Sequence, residues 1–213
     1  MNGEAFDYVL LALTLAVVPT ACVLATSFTK ISIVLALVKN ALGIQQAPSA
    51  LVTNALALVV TAFIMAPVLS RIADGLDSPM VPTQSKVEWY QQVIGGPLGG
   101  FMARHVDPEE QQRLLATAHR IWPEDMAESA HKDDLLVLLP AFAISEITAA
   151  FKIGFLVFLA FVAVDLIVAN VLMAMGMATF SPTVVSIPLK VVLFVAADGW
   201  SRLIQSLILT YQT

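Results

Sequence analysis

Between Leu135 and Met177 the chain runs for 43 residues that are almost wholly apolar, before a turn at Phe180-Ser181-Pro182. As a single helix, at about 1.5 Å per residue, this run would measure roughly 65 Å, about twice what one crossing of a bilayer requires. It must bend, or belong to a body thicker than a membrane. Pro140 and the polar cluster Ser145-Glu146-Ile147-Thr148 are the expected places for a bend. The run also carries Glu146, Lys152, Asp165 and Asn170. An ionisable group at the centre of a membrane helix costs about 2.5–3.5 kcal/mol on insertion scales, so these side chains need partners or a wet surface.

The rest of the chain supports a membrane class. Of 213 residues, 58% are hydrophobic and 13% are charged, with a mean hydropathy of +0.83. A soluble domain carries about 25% charged residues. The net charge of −5 sits in one place: residues 71–134 hold 6 Lys/Arg and 11 Asp/Glu, and the remainder holds 5 of each. Three regions follow: a hydrophobic helical hairpin over 1–70, a polar, acidic and partly helical insert over 71–134, and a second hydrophobic hairpin over 135–213. The fold class expected is all-α. Nothing is basic enough to suggest nucleic acid. The single cysteine, Cys22, cannot form a disulfide within the chain and has no metal-ligand spacing around it, so it reads as a small buried hydrophobe. Glu4 and Asp7 precede the first basic residue, Lys30, so a cleaved secretory leader is not expected.

In order along the chain, residues 8–38 are apolar, with Pro19 as an expected kink and Lys30 placed among Thr26, Ser27 and Thr29. Gly43 is an expected helix stop and Pro48 a restart. A second helix is expected over 51–69, ending near Pro67. In the insert, Asp107-Pro108-Glu109-Glu110 predicts a capped helix start, followed by Leu114, Leu115, Ala118, Ile121 and Trp122 at helical spacing. Gly95-Gly96-Pro97-Leu98-Gly99-Gly100 reads as a loop or close-packing bend and lacks the lysine and hydroxyl of a phosphate loop. His105, His119 and His131 are too far apart for a local metal site and read as solvated or capping. One last helix is expected over 184–211. The loop 39–50 holds Lys39 and the loop 178–183 holds no charge, which turns the acidic insert away from the cytoplasm by the positive-inside rule.

No catalytic constellation is visible, so an enzyme is not expected, and no cofactor or metal is implied. Glu146 and Asp165 could carry protons in a small transporter or ion channel. The competing reading is structural pairing with Lys152, Lys30 or Lys190. Glu146 and Lys152 are six residues apart, on different faces of one helix, which favours partners on a neighbouring copy. Lys30, Glu146, Lys152, Asp165, Asn170 and Asp198 are therefore candidates for buried or inter-subunit polar contacts. Met173, Met175 and Met177 cannot share one helical face. With a break at Gly176, these flexible side chains and Phe180 could narrow a pore and still deform around a threading peptide.

Five stretches then resemble one family: Thr26–Gly43 (TSFTKISIVLALVKNALG), Ala55–Val68 (ALALVVTAFIMAPV), Phe151–Gly154 (FKIG), Asp165–Gly176 (DLIVANVLMAMG) and Ser186–Trp200 (SIPLKVVLFVAADGW). They are similar to the FliP/SctR family of core export-apparatus subunits in type III secretion systems. The ending DGWSRLIQSLILTY is closer to the injectisome branch than to the flagellar one. The resemblance implies a homopentamer that joins SctS/FliQ-like and SctT/FliR-like export proteins in a helical, pore-containing cone. A SctU/FlhB-like switch protein, the inner rod and membrane lipid are further implied partners. It places the chain in the bacterial inner membrane as a multi-pass protein, with much of the assembly on the periplasmic side, where unfolded secreted substrates thread through. It implies a methionine-rich gasket in the Gly176–Pro182 turn. Only Met177 here matches the usual methionine run, since Ala178, Thr179 and Phe180 follow.

Overall fold

Hydroxyls inside an apolar run decide where the first described helix begins. The computed structural model describes residues 20–21, 23–44, 48–79, 85–177 and 179–212. The expected kink at Pro19 and the buried thiol of Cys22 lie outside them. Thr26 Oγ1 donates to the Val23 carbonyl at 3.3 Å and accepts from the Phe28 amide at 3.4 Å, while Thr29 Oγ1 also donates to Val23 at 3.1 Å. Side chains thus satisfy the Phe28 amide, one of the N–H groups a helix start leaves open, and the Val23 carbonyl ahead of it. Helix α1 then runs Phe28–Ala41. It stops at Gly43, as expected: φ is +77°, Gly43 donates to Asn40 at 3.0 Å and Ile44 to Lys39 at 3.4 Å, the paired bonds of a left-handed helix end.

Helix α2 spans Ala50–Leu76 and does not end near Pro67. The proline costs only the bond to the Phe63 carbonyl, and in apolar surroundings a continued helix leaves fewer backbone groups without a partner than a break would. The polar insert is a chain of short helices: α3 Lys86–Tyr90, a π-helical turn Gln91–Gly95, α4 Gly96–His105, α5 Pro108–Ile121 and α6 Glu124–Ser129. Asp107 caps α5 as its sequence predicts, accepting from the Glu109 amide at 2.9 Å. The glycine-rich stretch is helical rather than a loop. Pro97 sits in the first turn of α4, and a Cβ at Gly95 or Gly99, one turn apart, would lie 3.5 and 3.7 Å from Leu135. The small residues form a surface against which Leu135 packs, and Phe101 from the same helix meets Phe142 edge-on at 5.8 Å. Two of the histidines bond backbone carbonyls through Nδ1: His105 to Phe101 and His131 to Ser129.

Helix α7, Leu135–Ala174, is 40 residues long, about 60 Å, and is unbroken at both expected bend points. Pro140 lies in its second turn and loses only the bond to Leu136. Ser145 turns its hydroxyl back on the Ala141 carbonyl at 2.8 Å, so this polar residue is satisfied without opening the helix. The expected last helix is two: α8 Pro182–Ala196 and α9 Gly199–Leu209, bent by 62°. Asp198 between them takes a left-handed backbone with φ 54°, and a Cβ on Gly199 would stand 2.4 Å from the Phe194 ring. That local geometry ends α8, a feature apolar periodicity does not report.

All regular elements among the described residues are helical. Among the described residues two helices, α2 and α7, are long and apolar enough to cross a membrane, or three spans if the bent pair α8 and α9 counts as one. The chain forms two compact units. The first takes the described residues up to Thr29 together with Met65–Glu146, and the second takes Lys30–Ile64 and the chain from Ile147 onward. In the second unit Val34, Val38 and Ala41 of α1 and Leu42 just after it pack with Ala150 and Phe161 of α7 and Leu207 of α9. Gly154 makes this possible, since a Cβ there would come within 2.3 Å of the Leu37 side chain. Replacing Gly154→Val should cost about 1–3 kcal/mol by overpacking, read as a lower midpoint in detergent unfolding, with Gly100→Val, which meets open space, as the unaffected comparison.

Candidate functional site

Helix α7 ends in a left-handed turn that sets its methionines outward. Gly176 has φ +75°, with Gly176 donating to Met173 at 3.0 Å and Met177 to Leu172 at 2.9 Å. This is the break expected at Gly176. Because the αL residue reverses the chain, Met177 leaves the path that α7 follows up to Ala174. Met173, Met175 and Phe180 are 61%, 67% and 54% exposed, and Met177 is half-buried. Large adaptable apolar side chains are thus presented at one end of a helix with little to cover them in the protomer. Ala178 lies outside the described residues.

The charges in the apolar helices fall into three groups. Lys190 of α8 is buried, and its Nζ stands 2.9 Å from both carboxylate oxygens of Asp165 and 3.1 Å from the Ala41 carbonyl. It therefore neutralises Asp165 and caps the negative end of α1 at once. Asp165 finds its cation within the chain. Lys30 is buried too, its Nζ 3.5 Å from Thr210 Oγ1 and 4.1 Å from the centre of the Tyr211 ring. The ring's quadrupole attracts an ammonium placed over its face. Glu146 is 1% exposed and follows Ser145, whose hydroxyl accepts from the Asp107 amide at 3.0 Å. Lys152 and Asn170 of α7 and Asp198 between α8 and α9 are exposed on the protomer.

The candidate residues therefore separate into a turn, two internal clamps and an outward-facing set. Sequence reasoning names Lys190 as one of three cations for Asp165. It misses Thr210, Tyr211 and the Ala41 carbonyl. Tyr211 is the one of these with a signal, an aromatic ring closing an amphipathic helix. Among the described residues no group of three His, Cys, Asp or Glu side chains could hold a metal.

Residues 10–207 match the FliP family. The chain is 44% identical to pathogenicity-related ORF2 of Xanthomonas campestris pv. glycines, over 93% of each chain. It is 39% identical to the hypersensitivity response secretion protein HrcR of Ralstonia nicotianae, over 99% of each. It is 38% identical to Yop proteins translocation protein R of Yersinia pestis, over 92% of each.

Proposed function

We propose, from the premise that the chain belongs to the FliP family, that it forms part of the pore through which a type III secretion system exports unfolded proteins. The family consists of membrane components of the secretion apparatus and not of enzymes. On this reading five copies surround a common axis, joined by the other small hydrophobic export proteins, a switch protein and the inner rod. The Gly176–Pro182 turn of each copy points at the axis, and Met177 and Phe180 narrow the passage. The acidic region 71–134 faces water on the periplasmic side of the inner membrane, into which much of the assembly projects.

The observation that carries this reading is how little of α7 the protomer covers. The most apolar 18-residue stretch of α7 is only 17% buried in the protomer, so most of its surface is left for lipid or for sister chains. A 60 Å helix is too long for lipid alone, and Lys152 and Asn170 are exposed along it. Neighbouring subunits supply both the extra thickness and the polar partners. The proton-transport reading of Asp165 is weakened by Lys190, which occupies both oxygens of the carboxylate.

The experiment is charge reversal at the exposed cation. Lys152→Glu should reduce the assembled complex on native gels by about tenfold, in line with about 1.4 kcal/mol or more for a like charge placed in a desolvated contact. A normal complex that has lost secretion would count for a transport role instead.

A further inference from the structure

Within the second unit, the end of α1 and the start of α2 flank an open pocket of about 340 Å³ lined by Ser32, Lys39, Asn40, Thr53 and Asn54 with two alanines. Among the described residues the lining is an ammonium, two amides and two hydroxyls, with no carboxylate. Thr53 donates to the Ser49 carbonyl. Among the described residues the side chains of Lys39, Asn40 and Asn54 have no hydrogen-bond or ion-pair partner. Lys39 is half-buried and Asn40 and Asn54 are exposed, so all three present donors to a ligand that supplies acceptor oxygens. The charge of this unit points the same way, since Lys30, Lys39, Lys152, Lys190 and Arg202 face only Asp165 and Asp198.

The apolar surface beside the cavity narrows the ligand further. At the start of α2, Leu51 and Val52 are 80% and 55% exposed, and Leu58 and Val59 continue the row one to two turns on. An anionic head over a pair of greasy tails matches a polar cavity at the head of a bare apolar helix. A cavity of this volume admits a phosphate with its glycerol. We propose that this cavity seats the phosphate of an anionic phospholipid, with Lys39 as the charge partner and Asn40 and Asn54 as hydrogen-bond donors, and with the acyl chains along α2. This occupant would also fix the 39–50 loop at a membrane surface, the cytoplasmic one by the positive-inside rule.

The test is native mass spectrometry of the detergent-purified full chain, delipidated and then titrated with phosphatidylglycerol, phosphatidylcholine or inorganic phosphate. One tightly held phosphatidylglycerol per chain is expected, with phosphatidylcholine retained several-fold less. Lys39→Gln should weaken the adduct about fivefold and Lys39→Arg should restore it, the amount one basic residue contributes near an anionic surface. Asn54→Leu should weaken it as well, while Arg202→Gln should not. Equal retention of both lipids, an adduct unchanged in Lys39→Gln, or saturation by inorganic phosphate without any lipid preference would overturn the proposal. If Lys39→Gln lowers the unfolding midpoint in detergent, the comparison rests on Asn54→Leu and on Lys39→Arg at matched stability.

Discussion

On the proposed pore reading, cells carrying Met177→Ser and Phe180→Ser together should leak ions through the closed assembly, with conductance on the order of tenfold above that of unaltered cells. A narrow passage walled by thioether and phenyl groups sheds its water, and a dry constriction stops ions without a plug. Two hydroxymethyl side chains would keep it wet and leave it wider. Met173 and Met175 are the comparison. Met173 belongs to the last turn of α7 and Met175 follows it, both ahead of the αL residue at Gly176, and Met173→Ser alone should change conductance much less. Conductance across the inner membrane, measured with secretion arrested, checks this. Equal leak in both variants would mean that the turn does not set the narrow point.

Removing the ammonium of Lys190 should be the most damaging single change inside the protomer. Lys190→Ala would leave Asp165 without its cation and the Ala41 carbonyl at the end of α1 without its donor. Truncating one member of a buried pair costs more than the pair is worth, because the other charge stays desolvated. Asp165 retains 42% of its side-chain surface, so the loss is expected at about 2–3 kcal/mol rather than more. The double replacement Lys190→Met with Asp165→Leu removes both charges and should recover about half of that loss. Unfolding midpoints in detergent measure both. If the double variant is no better than the single one, the carbonyl cap rather than the ion pair is what Lys190 supplies.

Local chemistry was legible in this chain and long-range chemistry was not. Asp107 and Gly43 could be read from neighbours within four residues, and both act where expected. Gly176 could be read the same way, because a left-handed residue after an apolar helix has few alternatives to glycine. Pro67 and Pro140 misled for a physical reason: a proline ends a helix when water can take the freed carbonyl, and these helices have apolar surroundings. The Gly95–Gly100 stretch misled because glycine signals a turn locally, whereas here its missing side chains serve contact with Leu135. The break at Asp198 depends on the Phe194 ring packing against Gly199, which no periodicity encodes.

The charges divide in the same way. Burial costs alone require Asp165 and Lys30 to find partners. Choosing Lys190 over Lys152 or Lys30 for Asp165 needs the path of α8 across α7, and placing Tyr211 over Lys30 needs the ends of the second unit brought together. The family motifs ran ahead of this reasoning because they quote the outcome of packing. FKIG contains the Gly154 that lets Leu37 approach, and SIPLK and DLIVAN each hold one member of the ion pair.

The central claim is that Met177 stands in the path of the exported chain. A photo-crosslinking amino acid at position 177, in cells carrying a substrate stalled in transit, tests it most directly. The account predicts a crosslink to the stalled substrate from 177, and none from the same group at Val59 on the exposed face of α2. Crosslinks from Val59 and none from 177, with the substrate stalled in both, would contradict it.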